Sequence, residues 1–212
     1  MNIKKEKVRK MTVAYVAEGG LYINITNKCT NRCDFCIRNN GDGAYGSDSL
    51  WLLREPDFDE IIEAVASMSP EKFTEAVFCG YGEPSCRLDV AREAALEIKK
   101  RYPGIKVRIN TNGQSDLIYG KDTEPMYKDA FDSVSISLNA PSADRYDDIC
   151  HSVYGDIALA AIIKFASNVK AYVPDVKFSV VREFLTENEL SECIKISEKT
   201  GVQLRIRDYI SE

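Results

Sequence analysis

Cys29, Cys33 and Cys36 fall within eight positions, in the order C-x-x-x-C-x-x-C, inside the stretch NITNKCTNRCDFCIRNN. Thiolates crowded in this way bind zinc or iron–sulfur clusters. A structural zinc is closed by four protein ligands, so this loop would need one more. Cys79, Cys86, Cys150 and His151 are the candidates for it. A 4Fe–4S cluster held by three cysteines instead leaves one iron open to a ligand from outside the chain. There is no second C-x-x-C pair, whereas zinc sites commonly use two. The single histidine, His151, cannot build a hydrolytic triad beside these residues.

A loop of this kind needs a rigid support, and the rest of the chain supplies a repeating pattern. Six short runs rich in Val, Ile, Leu and Phe read as strands: 21–26, 75–80, 106–111, 133–138, 176–181 and 203–208. Helical stretches lie between them. Phe58, Ile61, Ile62, Val65 and Met68 share one helical face, with Asp57 and Glu60 placed for a capping box. Residues 87–101 and 154–171 carry similar apolar stripes. In the last helix Thr186 and Glu189 suit a capping box, Leu185 and Leu190 a hydrophobic staple, and Gly201 the stop. Alternating β and α units predict a parallel sheet with right-handed crossovers. The expected fold is α/β, either a partial (βα)6 TIM-like barrel of six parallel strands or a doubly wound sheet. Residues 1–19 form an N-terminal arm, with MTVAYVA and EGG making a short β-hairpin. The chain reads as a single domain over 1–212, with no auxiliary-cluster domain after Cys193.

Both architectures place chemistry at the carboxyl ends of the strands. There the sequence gathers Gly, Asn and charge: the cysteine loop after the first strand, CGYGEPS after the second, NTNGQ after the third, LNAP after the fourth, REF and RDY after the last two. Such residues are also ordinary turn formers. A net charge of −5 argues against general nucleic-acid binding but leaves room for a local basic pocket. No run of about 18 apolar residues spans a bilayer. Seven cysteines without regular pairing, and no convincing export signal, point to a reducing compartment and a cytoplasmic protein.

The C-x-x-x-C-x-x-C motif after a first strand, with Phe35 just before the third cysteine, resembles the radical S-adenosylmethionine (SAM) superfamily. "YINITNKCTNRCDFCIRN", "VFCGYGEPS", "RINTNG" and "VSISLNAP" together resemble the small TatD-associated radical SAM family, from which Cys86 departs. This resemblance implies that SAM occupies the open iron through its amino and carboxylate groups. A reduced cluster then cleaves SAM to a 5′-deoxyadenosyl radical, which abstracts hydrogen from a small-molecule or nucleotide-like substrate. It implies an electron donor of the flavodoxin or ferredoxin type. Gly80, Gly82 and Glu83 match the superfamily's motif beside the SAM amine. There glycine allows close backbone approach and Glu83 accepts from the ammonium; otherwise Glu83 is a solvated loop carboxylate. Asn110, Asn112, Ser137 and Asn139 can bond ribose or the SAM carboxylate, although the two asparagines of the 110–113 turn can equally just shape it. Phe35 packs on adenine or plugs the core. Arg182 pairs with the SAM carboxylate or with a surface acid, and Ile206, near Arg207, lines the adenine side.

On the substrate side, the loop NGDGAYGSDSLW can form a lid. Arg38 and Arg54 are anion-binding candidates or merely solvated. Cys79, Cys150 and Tyr81 are candidate hydrogen donors, although free cysteine is more often a small buried hydrophobe. Two other functions stay open. One is an activase that installs a glycyl radical on a partner protein. The other is a non-catalytic zinc or iron–sulfur binding or sensor module.

Overall fold

The computed structural model describes residues 11–209; the first ten residues of the expected N-terminal arm lie outside them. Seven strands form one sheet: β1 (Ala14–Ala17), β2 (Gly20–Ile23), β3 (Glu75–Phe78), β4 (Lys106–Thr111), β5 (Ser133–Ser137), β6 (Asp175–Val181) and β7 (Gln203–Arg207). β1 and β2 are the antiparallel hairpin, joined through Glu18 and Gly19, both at positive φ. β2 to β7 run parallel, each beside its sequence neighbour. A doubly wound sheet reverses its strand order at a switch point. Here the order never reverses, so right-handed crossovers stack the helices on one face. The sheet is an open, partial barrel.

The helices are α1 (Phe58–Ser67), α2 (Leu88–Arg101), α3 (Ser115–Tyr119), α4 (Ala143–Cys150), α5 (Ile157–Val169) and α6 (Glu187–Thr200). Both expected capping boxes form, Asp57 with Glu60 and Thr186 with Glu189, and Gly201 ends α6 in the left-handed region. The period-two pattern decides the two faces of the sheet. Ala76 and Phe78, Val107 and Ile109, Val134 and Ile136, and Phe178 and Val180 are buried against the helices in one large core. The alternate residues face the concave side. There a second, smaller cluster of Tyr15, Tyr22, Leu50, Val77 and Tyr81 closes the hairpin end.

Candidate active site

The cysteine loop leaves β2 and is fixed mainly through its backbone. The last carbonyls of a helix have no partner inside the helix, and α4 offers two of them to the loop. Arg32 N–H donates to the Cys150 carbonyl (2.9 Å) and Asp34 N–H to that of Ile149 (3.0 Å). Below the loop lies a buried polar network. Asn31 Nδ2 and Gln114 Nε2 both donate to the Tyr146 hydroxyl (2.9 and 3.1 Å), and the Thr30 hydroxyl donates to Gln114 Oε1 (2.6 Å). The Arg38 guanidinium donates to the Asn31 carbonyl (3.0 Å), so it braces the loop. Burial pushes the Cys29 thiol up to about 12, helped by the nearby Glu83 carboxylate, and raises Cys36 as well. A hydrogen bond with Cys150 is the main cause raising Cys33, followed by burial. Bound iron would exchange for these protons, as thiolate ligation requires.

The sulfur spacing separates the two metal readings. Four thiolates about 2.3 Å from one zinc lie about 3.8 Å from one another. The three loop sulfurs do not all lie within 4.8 Å of each other, nor do any two of them form such a set with a further Cys, His, Asp or Glu among the described residues. A multi-iron cluster gives each thiolate its own iron and suits the wider arrangement. Of the candidate fourth ligands, His151 is bonded to Asp34 (Nε2 to Oδ1, 2.8 Å). Cys79 and Cys86 sit after β3, and Cys150 is buried beside Cys33, accepting from Asn139 Nδ2 (3.5 Å).

The three sulfurs face a cavity of about 240 Å³ at the carboxyl ends of the strands. Gly80, Gly82 and Glu83 border it, as do Asn110, Asn112, Ser137 and Asn139. Asn139 sits at positive φ, with its Oδ1 buried and without a partner. A buried orphan acceptor is costly in a folded protein, and here it belongs to a residue that borders the cavity. Phe35 borders the cavity and packs on Phe184 at 4.9 Å between ring centroids. The donor set, the open rim and the orphaned acceptor fit a 4Fe–4S cluster with SAM beside it.

Several expectations change in detail. A methyl group on Gly80 would lie 2.1 Å from Asn24 Oδ1, and one on Gly82 2.2 Å from the Thr26 carbonyl oxygen. The glycines thus let the loop after β3 press on the loop after β2. Both glycines also border the cavity. Glu83 is not solvated. It is buried, with Oε1 accepting from Thr111 Oγ1 (2.7 Å) and Ser85 N–H (3.0 Å), and Oε2 from Asn112 N–H (2.7 Å). Burial still outweighs these donors and raises its pKa. Asn112 shapes its turn through Gln114 N–H (3.1 Å) and holds Thr30 (2.8 Å).

Arg182 is not at the cavity. β6 ends one residue earlier, and the guanidinium turns to Glu187 in the first turn of α6 and to the Leu185 carbonyl. Ile206 is on the wrong side of β7: it is 47% exposed, while Arg205 and Arg207 border the cavity. Arg54 pairs bidentately with Glu60 on the surface. The expected lid is a docked loop. Leu50 and Ala44 are buried, Tyr81 donates to the Gly41 carbonyl (2.7 Å) and Asn24 to that of Leu50 (2.7 Å). Sequence reasoning passed over Asn24, Gln114 and Tyr146, whose buried hydrogen bonds join segments remote in the chain. Arg205 was passed over too, although period-two alternation in QLRIR places it with Arg207.

Comparison with known proteins agrees with this geometry. The profile of the Radical SAM superfamily matches residues 23–194, and the chain belongs to that superfamily. Its members use 4Fe–4S clusters and S-adenosylmethionine. Members such as the GTP 3′,8-cyclases are enzymes. The chain is 26% identical over 190 residues to GTP 3′,8-cyclase of Clostridium perfringens, covering 87% of this chain and 53% of that one. It is 25% identical to molybdenum cofactor biosynthesis protein 1 of Drosophila melanogaster, covering 90% and 31%. The chain thus spans about half or less of the length of these relatives. Among solved structures, a radical SAM methyltransferase from Sphaerobacter thermophilus has the same fold (TM-score 0.65, 14% identity, 91% of this chain and 57% of that one). So does Streptococcus suis SuiB bound to S-adenosylmethionine (TM-score 0.60, 14% identity, 89% and 38%). No helix among the described residues is long and apolar enough to cross a membrane.

Proposed function

We propose that this protein cleaves SAM reductively and uses the product to abstract hydrogen from a small-molecule or nucleotide-like substrate, as a cytoplasmic enzyme served by a flavodoxin or ferredoxin donor. One observation carries the reading. Three thiols on one loop share a rim with a cavity bordered by polar residues from β3 to β7. Cys29, Cys33 and Cys36 would hold the cluster, with SAM in the space beside Gly80–Glu83, Ser137 and Asn139. Bound together, these cofactors supply a 5′-deoxyadenosyl radical. The chain's own part is positional. Glu83 locks the loop after β3 to that after β4, α4 fixes the cysteine backbone, and Asn139 offers a free acceptor. The docked 40–51 loop, through Tyr45 and Leu50, covers one side and excludes water.

The motifs GYGEP and SLNAP support a place in the TatD-associated family. The similarity to GTP 3′,8-cyclases supports nucleotide-like substrates without assigning GTP, because about half or more of each such relative lies outside the match. Anaerobic reconstitution with iron and sulfide, followed by SAM and reductant, is expected to yield 5′-deoxyadenosine. A protein with an intact cluster that forms none would end this reading. Candidate metabolites carrying deuterium can then be screened for label in that product.

A further inference from the structure

The arginines around the cavity are not equally satisfied. Arg108 on β4 donates to Glu75 (2.9 Å) and to Asn110 (3.1 Å). Arg205 and Arg207 on β7 also border the cavity, yet neither guanidinium has a hydrogen bond or ion pair with any described residue; Arg205 is exposed, and Arg207 Nε is buried without a partner. A guanidinium that loses water and gains no acceptor is costly. Small neighbours leave space around the pair: Ser179 lies opposite Arg205 in the β6–β7 register, and Ser137 lies opposite Ser179 on β5. Burial raises the pKa of both Tyr45 of the docked loop and Cys79, and Arg207, across the opening, is close enough to each to offset a small part of that rise. Of the carboxylates that border the cavity near the pair, Glu18 is already engaged by the Tyr22 and Tyr45 hydroxyls (3.1 and 3.5 Å), and Asp208, next in the chain to Arg207, makes no ion pair with either arginine. A chain of net charge −5 repels anions at long range, so two unpaired cations here act by contact.

We propose that Arg205 and Arg207 bind an oxyanion of the substrate, a carboxylate or a phosphate, and so select anionic small molecules for the radical step. The planar, fixed forks of two guanidiniums match such groups. The inference rests on the proposed function for what happens to the bound molecule, but anion binding is measured without turnover.

The test uses the reconstituted holoenzyme with SAM, at constant ionic strength, titrated with pyrophosphate and separately with malonate. At least one is expected to bind, and the tighter of the two tells phosphate from carboxylate. Arg207→Gln and Arg205→Gln should each weaken that binding about tenfold, the loss of one charge-assisted contact. Arg207→Lys should restore part of it, and the exposed control Arg54→Gln should change nothing. Iron content and unfolding midpoint report whether each variant is folded. Absence of binding by both anions overturns the proposal, as does binding that survives both Gln variants. A parallel loss of SAM affinity in the Gln variants also overturns it, since the arginines would then serve the cofactor. Failure of wild-type protein to form 5′-deoxyadenosine would instead strike the proposed function and leave the anion site standing.

Discussion

The loop after β3 and the edge strand β7 border the same cavity, and they differ in how their charged groups are answered. Glu83 is buried with three protein donors, and a carboxylate so engaged is a strut. Arg207 has a buried Nε and no acceptor. The first region is finished by the chain itself; the second is finished only by something that enters. Polar residues at one rim thus divide into framework and recognition, and hydrogen-bond accounting tells them apart where residue type does not.

The largest expected effect falls on the cysteines. Cys29→Ala, Cys33→Ala or Cys36→Ala should each abolish cluster assembly, read as loss of bound iron, of visible absorbance and of 5′-deoxyadenosine. Cys150→Ala should keep the cluster although Cys150 packs beside Cys33. If Cys150→Ala loses iron as completely as the other three, a fourth protein ligand exists and no iron is left open.

Next comes Gly82→Ala. The added methyl would sit 2.2 Å from the Thr26 oxygen and 2.7 Å from that of Lys28. Backbone on both sides must move, which costs about 1–3 kcal/mol or more by the usual scale of overpacking. A lower denaturation midpoint in the cofactor-free protein is expected. A midpoint equal to wild type, with SAM affinity alone impaired, would return this glycine to the ligand and erase its framework role.

Glu83→Gln is a finer cut through the same strut. The amide keeps the shape but turns one acceptor oxygen into a donor facing Thr111, Ser85 or Asn112. One buried N–H is then left unmatched, at about 1–3 kcal/mol. Stability of the apo protein should fall along with SAM affinity. A drop in SAM affinity without any change in stability would show that the carboxylate serves the cofactor directly.

The same contrast explains what the sequence could and could not reveal. The alternation of strands and helices, both capping boxes and the hairpin arm follow from local rules, and the six expected strands and four expected helices lie within a few residues of those observed, whereas α3 and α4 were not expected. The three cysteines are legible because their spacing is local too. Ile206 was misplaced by a single residue of register: the resemblance put it on the adenine side, but period two sends 205 and 207 to the cavity together. Arg182 was misplaced although the strand end at 181 was expected: beyond it the guanidinium is captured by Glu187 and the Leu185 carbonyl at the start of α6. The clash partner of Gly80, Asn24, lies just after β2, far away in the sequence, so only the fold reveals why a side chain is excluded there.

The smallest effect tests the framework far from the cavity, at the start of α1. Arg54 and the Asp57 backbone amide hold Glu60 down to about 2, from an ordinary value of 4.5. A carboxyl whose pKa is lowered by folding stabilises the fold above its unfolded value, and that contribution disappears as pH falls through the folded value. The window therefore runs from about pH 4.5 down to about 2. Glu60 and Arg54 lie at the surface, so solvent screens the pair and the effect is small. Chemical denaturation at a series of pH values should show wild type slightly more stable than Glu60→Gln at pH 6, with the two curves converging toward pH 2. The midpoint difference at pH 6 should also shrink in high salt. Curves that stay parallel across the window would mean the capping box acts through geometry alone, and that the charge of Glu60 adds nothing to it.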